Sequence, residues 1–191
     1  LFAFSGEHPA SLRWSMREID EEFGRERAQA IFDLAYGAVG RVNDRIAQHH
    51  IACDLKSGHL EAAYKPEHFA DMQREADFLA RNFGWESDLV QPHEMSRHIN
   101  GGGYHGGLFD SQGGHFHPLN YALGLAEAAK NAGVAIFENT PVRVLMDWGD
   151  GAEVQVKVKA SYDLSVCSKC VVVATDTWTN EIASDLGRYT I

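Results

Sequence analysis

Several side chains in this sequence could do chemistry, and their spacing narrows what that chemistry is. His105, His115 and His117 fall in one glycine-rich stretch, and His115-x-His117 is a spacing that a metal ion can use. A metal also needs a third and usually a fourth ligand. Nothing elsewhere in the sequence nominates one, so no metal is assigned, and the three also read as loop and helix-entry histidines. Cys167 and Cys170 form a C-x-x-C pair, a pattern with redox or zinc uses. Cys53 is distant, and a thioredoxin-type pair belongs at a helix N-terminus, whereas Cys170 stands where an apolar strand is expected to begin. The expectation is a reduced, structural pair. Asp54 and Glu61 could be paired carboxylates, but strand alternation alone places polar residues on an exposed face. The run Val171-Val172-Val173-Ala174-Thr175 reads as a buried strand ending in small and hydroxyl residues. Such an end lets backbone approach a flat or phosphorylated ligand at the carboxyl edge of an open α/β sheet.

The elements that must position these residues follow from periodicity. Residues 1–15 read as extended or looped, punctuated by Gly6 and Pro9. The spacing predicts helix over 16–48 with a break at Gly24, and Ile31, Leu34, Ala35, Ala38, Val39, Val42 and Ile46 on one buried stripe. Strands over 51–56 and 59–64 flank Ser57-Gly58, a pair suited to a hairpin turn. Pro66 opens a helix that carries Phe69, Met72, Ala76, Leu79 and Ala80 on one side and ends near Gly84. A short helix over 93–98 follows. In the glycine-rich segment 101–114, Tyr104, Leu108 and Phe109 are the expected strand residues. Pro118 then opens a helix over 119–131, stopped by Gly133, and 134–137 reads as a parallel strand reached from it. Segments 143–148, 153–159 and 163–167 alternate around Gly149-Asp150-Gly151 as an antiparallel meander, before the strand at 171–174.

Composition sets the limits. At 191 residues with 45% hydrophobic content, the chain can build a real core, as one large domain or parts of two. A net charge of −10 argues against a nucleic-acid surface, which needs clustered Lys and Arg. No apolar run approaches the roughly 20 residues of a membrane span. Three cysteines make no disulfide framework, so a reducing cytoplasm is the expected setting. The sequence contains no G-x-G-x-x-G turn that joins a strand to a helix and opens on Leu1, which reads as the central portion of a longer enzyme.

Three runs carry a resemblance: ACDLKSGHLEAAYKPEH, GGLFDSQGGHFHPLNYALGLAEAAKNAGVAIFENTPV and VVVATDTWTNEIASDLGR. In this order they resemble the FAD-dependent amine and amino-acid oxidases of the D-amino-acid oxidase superfamily, and within it the gamma-glutamylputrescine oxidoreductases above others. The resemblance spans residues 4–191. It implies an α/β with α+β architecture, a Rossmann-like FAD domain interleaved with a mixed-sheet substrate domain. Residues 1–15 and 116–191 would belong to the FAD domain, with the meander inserted, and 16–115 to the substrate domain. Val142, after Thr140-Pro141, matches the position whose backbone meets the adenine. Ala174 and Thr175 match the strand beneath the dinucleotide, and Trp178 the aromatic near the flavin. The family pattern is Ala-Thr-Gly, and this chain has Asp176 instead of the glycine; a carboxylate beside a pyrophosphate is tolerated only when it points away. Tyr104, His115 and His117 fall in the segment expected at the polar edge of the substrate cleft, and Tyr104 and Tyr121 are its aromatic candidates or else packing residues.

The activity so implied is hydride transfer from a substrate C–H next to nitrogen to flavin, giving an imine that hydrolyses to a carbonyl product. The cofactor would carry the hard step and the protein orientation and electrostatics, so no catalytic acid or base is named. An oxidase and a dehydrogenase fit equally. The partners implied are a small amine or amino acid and the rest of the polypeptide, without which FAD should not be held; no nucleic acid or membrane is expected. The competing reading is a non-catalytic binding or interaction module with an incomplete flavin site.

Overall fold

The computed structural model describes residues 2–4, 14–147, 152–158, 162–175 and 178–179. Its elements are β1 (Phe2–Phe4), α1 (Met16–Phe23), α2 (Arg25–Gln48), β2 (Lys56–Ala62), α3 (Pro66–Phe83), β3 (Asp88–Val90), a 3-10 turn (Met95–Arg97), β4 (Gly107–Phe116), α4 (Pro118–Asn131), β5 (Val142–Asp147), β6 (Ala152–Val158) and β7 (Tyr162–Ser168). The mixed α and β content agrees with the expected class. By contacts, the chain forms two compact units, Leu1–Val134 and Ala135–Ile191.

In the first unit β4 is the axis of an antiparallel sheet. One edge of β4 pairs with β2 from Gly107 to His115; β3 and β1 share the other edge. Pairing is interrupted between Ser57↔Gly114 and His59↔Asp110, where Ser111, Gln112 and Gly113 bulge from the ladder. Asp110 supports the bulge from inside, because its Oδ1 accepts the Gln112 N–H at 2.8 Å. The expected hairpin around Ser57-Gly58 is therefore corrected: both residues lie within the single strand β2. Gly58 does adopt the left-handed φ of +91° that the dipeptide signals, but it serves the bulge rather than a reversal. Residues 51–55 form no strand.

Helix boundaries follow their punctuation. Gly24 separates α1 from α2. Ser15 and Glu18 form a capping box at α1, with Glu18 N–H donating to Ser15 Oγ at 3.3 Å and Ser15 N–H to Glu18 Oε2 at 2.7 Å. The Met16 N–H donates to the buried Glu75 of α3 at 3.0 Å, which tethers α1 to α3 and explains a carboxylate on an apolar face. Pro66 opens α3, and Gly84 closes it in a left-handed conformation.

The buried stripe of α2 is rotated from the one expected. Ala28, Phe32, Tyr36, Val39 and Ile46 face inward, whereas Leu34 is 63% exposed. Aromatic packing sets that rotation: Phe32 stacks on Tyr36 at 4.2 Å and Phe83 at 4.8 Å, and Trp85 meets Tyr36 edge-on at 4.7 Å. These rings join Met16, Ile19 and Leu79 in one core cluster. Two further clusters lie on the sheet: Met72, Ala76, Ala63 and Leu108 under α3, and Ile46, Ile51, Cys53 and Phe116 beneath α4. Ala80, expected on the buried side of α3, is exposed.

In the second unit β5, β6 and β7 form the expected antiparallel meander, with β6 central. The turn at Gly149-Asp150-Gly151 lies outside the described residues. Two expected strands are absent. Residues 134–137 and 171–174 are irregular, with Phe137 75% and Val172 89% exposed. The physical reason is that a parallel strand exists only by pairing, and none of the described strands pairs with either segment.

Candidate functional site

The sheet of the first unit has two unlike faces, as its pleat requires. Leu108, Asp110 and Phe116 point toward the helices. Phe109 and His115 point the other way, and the ring of His98 lies 5.8 Å from that of Phe109. This second face is the candidate substrate wall. Tyr104 precedes the β4 end of the wall, where its ring lies 5.3 Å from Tyr64. The hydrogen bond to Tyr64, and the charge that Tyr64 would carry, push the Tyr104 hydroxyl above the ordinary phenol range. Tyr104 lies in the loop before β4, outside the strand expected there.

His115 is half-buried near the opposite end of β4, with Lys56 and Ala3 as its ladder neighbours. His117 is the exposed N-cap of α4, where Nδ1 accepts the Asn120 N–H at 3.3 Å and leaves Nε2 for any other partner. At about 3.3 Å per residue, Tyr104 and His115 are separated by roughly 20 Å or more of strand. The structure thus groups His115 with His117 and Tyr104 with Tyr64, and does not bring the two pairs together. Tyr121 packs on Phe116 at 4.5 Å, the packing role among those expected for it. His105 is exposed, its N–H donating to Ala63 O at 2.8 Å. Among the described residues no group of three or more His, Cys, Asp or Glu side chains could hold a metal.

Two grooves lie on the helical side. One, of about 570 Å³, is bounded by Phe32, Tyr36, Asn43, Trp85, Ser111 and Gln112. The other, of about 320 Å³, is bounded by Arg17, Glu61, His68, Asp71, Glu75 and Leu108. Sequence reasoning missed Asp110 as well. It is wholly buried, and its Oδ2 has no hydrogen-bond partner among the described residues. The available signal was an Asp two residues before a Gln-Gly-Gly turn, the pattern of a side chain bonded to its own backbone.

In the second unit Val142 opens β5, opposite Val156, and is 39% exposed. Segment 171–174 is irregular, and its residues make no backbone hydrogen bond to another described segment. Ala174 is exposed and presents only a methyl group. Thr175 and Trp178 share one turn: Trp178 N–H donates to Thr175 O at 3.0 Å, and the Thr175 hydroxyl lies 3.0 Å from that of Thr179. The Trp178 side chain is 66% exposed. Asp176 lies outside the described residues. Cys167 and Cys170 are both exposed, which corrects the expectation that Cys170 begins a buried strand.

Known proteins of like sequence and fold agree with one another. The probable oxidoreductase OrdL of Haemophilus influenzae is 32% identical over 162 residues, 84% of this chain and 36% of its own length. The gamma-glutamylputrescine oxidoreductase of Escherichia coli is 27% identical over 124 residues, 65% of this chain and 29% of its own length. The chain therefore spans about a third of the length of these relatives. The fold is similar to glycine oxidase from Geobacillus kaustophilus, with a TM-score of 0.69 and 19% identity over 82% of this chain and 43% of that one. It is also similar to L-amino acid deaminase from Proteus vulgaris, at 0.65 and 20% over 78% and 35%. Residues 7–190 match the family described as FAD dependent oxidoreductase, and the chain belongs to that family, DAO.

Proposed function

We propose that the full-length protein oxidises an amine or amino acid at a CH–NH or CH–NH2 group, with FAD as its cofactor. The observation that carries this reading is the match of residues 7–190 to an FAD-dependent family, together with relatives named for amine and amino-acid oxidation. When bound, the flavin supplies a hydride acceptor for the carbon beside the substrate nitrogen. The substrate imine then hydrolyses to a carbonyl product.

The residues present fit a dinucleotide. Ala174 adds no bulk beyond a methyl group, and the backbone of 171–174 makes no hydrogen bond to another described segment. In this reading Val142, Ala174 and Thr175 hold the FAD mainly through backbone, and Trp178 offers an exposed ring near the flavin. The backbone hydrogen bond from Trp178 to Thr175 would hold residue 178 close to the end of segment 171–175. His115 and His117 would line one end of the substrate wall and Tyr104 with Tyr64 the other.

Residues 1–15 and 116–191 are assigned to the flavin domain and 16–115 to the substrate domain. The outward side of α4 supports a covering partner from the rest of the polypeptide, because Leu119 and Leu123 are each 60% exposed. Among the described residues no helix is long and apolar enough to cross a membrane. A cytoplasmic setting is part of the same proposal.

Product analysis tests the reaction. Full-length protein incubated with amines and amino acids should release a carbonyl product from at least one, and deuterium on the carbon beside nitrogen should slow turnover. If no compound of either class gives a carbonyl product, the proposed reaction is wrong.

A further inference from the structure

We propose that Cys167 and Cys170 form a reversible intramolecular disulfide when the full-length protein meets a hydroperoxide. Both thiols are free and exposed, whereas the only other cysteine, Cys53, is buried at 1% exposure. Cys167 belongs to β7, which ends at Ser168, and the chain bends at Lys169. The Ser168 hydroxyl donates to the Cys170 carbonyl at 2.8 Å, so a local hydrogen bond supports the bend. This matters because an extended strand holds residues three apart at roughly 10 Å, beyond the roughly 4.4–6.8 Å between Cα atoms that a disulfide spans. A bent segment with two intervening residues needs little further entropy to close.

The spacing by itself also admits zinc. Two thiolates supply half of a structural zinc site, and among the described residues no third ligand joins them. Oxidation needs no third partner. One cysteine thiolate attacks the hydroperoxide, the O–O bond breaks, and sulfenic acid forms with release of water or alcohol. The second thiolate attacks the sulfenic sulfur, the S–S bond forms and water leaves. Overall two S–H bonds are lost, the two sulfurs give up two electrons, and the hydroperoxide takes up both electrons and both protons. Cys170 adjoins Val171, so the bond would stiffen the approach to segment 171–175.

The test uses folded full-length protein, hydrogen peroxide as the probe, and alkylation of remaining thiols before digestion. Trypsin cuts after Lys169, between the two cysteines. A Cys167–Cys170 bond therefore leaves the two flanking peptides joined until reductant separates them. The expected result is that the joined, reducible species becomes dominant, while Cys53 stays unlabelled and so reports an intact fold. Cys170→Ser should abolish the joined species and Cys53→Ser should retain it. The proposal is overturned if both cysteines are alkylated separately after peroxide. It is equally overturned if they oxidise singly to sulfinic or sulfonic acids, or join only between two protein molecules.

Discussion

Gly58→Ala should destabilise the protein by far more than an ordinary exposed substitution. Gly58 has φ of +91° inside β2, and an alanine Cβ there would stand 2.8 Å from the Phe109 ring. Left-handed backbone costs an L-residue about 1–2 kcal/mol. Overpacking against a ring adds about 1–3 kcal/mol, reduced to the extent that Phe109 gives way. The sum is about 2–5 kcal/mol, large beside the 5–15 kcal/mol (about) that holds a typical domain. Phe109 is half-buried and faces His98, so the ring has some room to move but loses that contact if it does. Urea unfolding followed by tryptophan fluorescence on full-length protein measures the loss. A Gly58→Ala, Phe109→Leu double variant separates the two contributions: it should recover the steric part and leave the backbone part. If Gly58→Ala lies within about 0.5 kcal/mol of the parent, the bulge geometry proposed for β2 and β4 is wrong.

Leu79→Ala should cost about 2–5 kcal/mol, since Leu79 is 2% exposed between α1, α2 and α3; an unchanged urea midpoint would contradict that core. Two hydrogen bonds from Ser15 hold the Glu18 carboxyl below its ordinary value. The capping box therefore stabilises the fold above the ordinary carboxylate pKa, and that contribution is lost as pH falls through the lowered one. Ser15→Ala should cost about 1 kcal/mol near neutrality and flatten the acid limb of the Tm–pH curve. Val142→Ile should leave flavin content nearly unchanged. Ala174→Glu, which sets bulk and negative charge at the proposed cofactor edge, should purify with little flavin; normal occupancy and turnover would refute that edge.

Punctuation was the legible part of this fold. Gly24, Pro66, Gly84 and Pro118 each mark a helix boundary, because fixed φ and left-handed φ leave the backbone few alternatives. The meander was legible for the same reason of local pattern. The misread hairpin has a long-range cause. Ser57-Gly58 carries the same local signal in a turn and in a bulge, and only the pairing with β4 distinguishes them. The stripe of α2 was misplaced because aromatic stacking with Phe83 and Trp85, far along the sequence, sets its rotation. Apolar composition alone marked 134–137 and 171–174 as strands, but composition does not supply the neighbouring strand that pairing requires. At the candidate site, residue types were legible, while the separation of Tyr104 from His115 appears only once one is placed before the start of β4 and the other near its far end.

Anaerobic visible spectroscopy of the full-length protein tests the central claim most directly. The account predicts a yellow protein whose flavin absorbance matches its protein concentration and bleaches when a suitable amine or amino acid is added. Bleaching should return to the original spectrum when an electron acceptor is admitted. A colourless full-length protein that cannot be loaded with FAD, or a flavin band that no amine or amino acid bleaches, would contradict it.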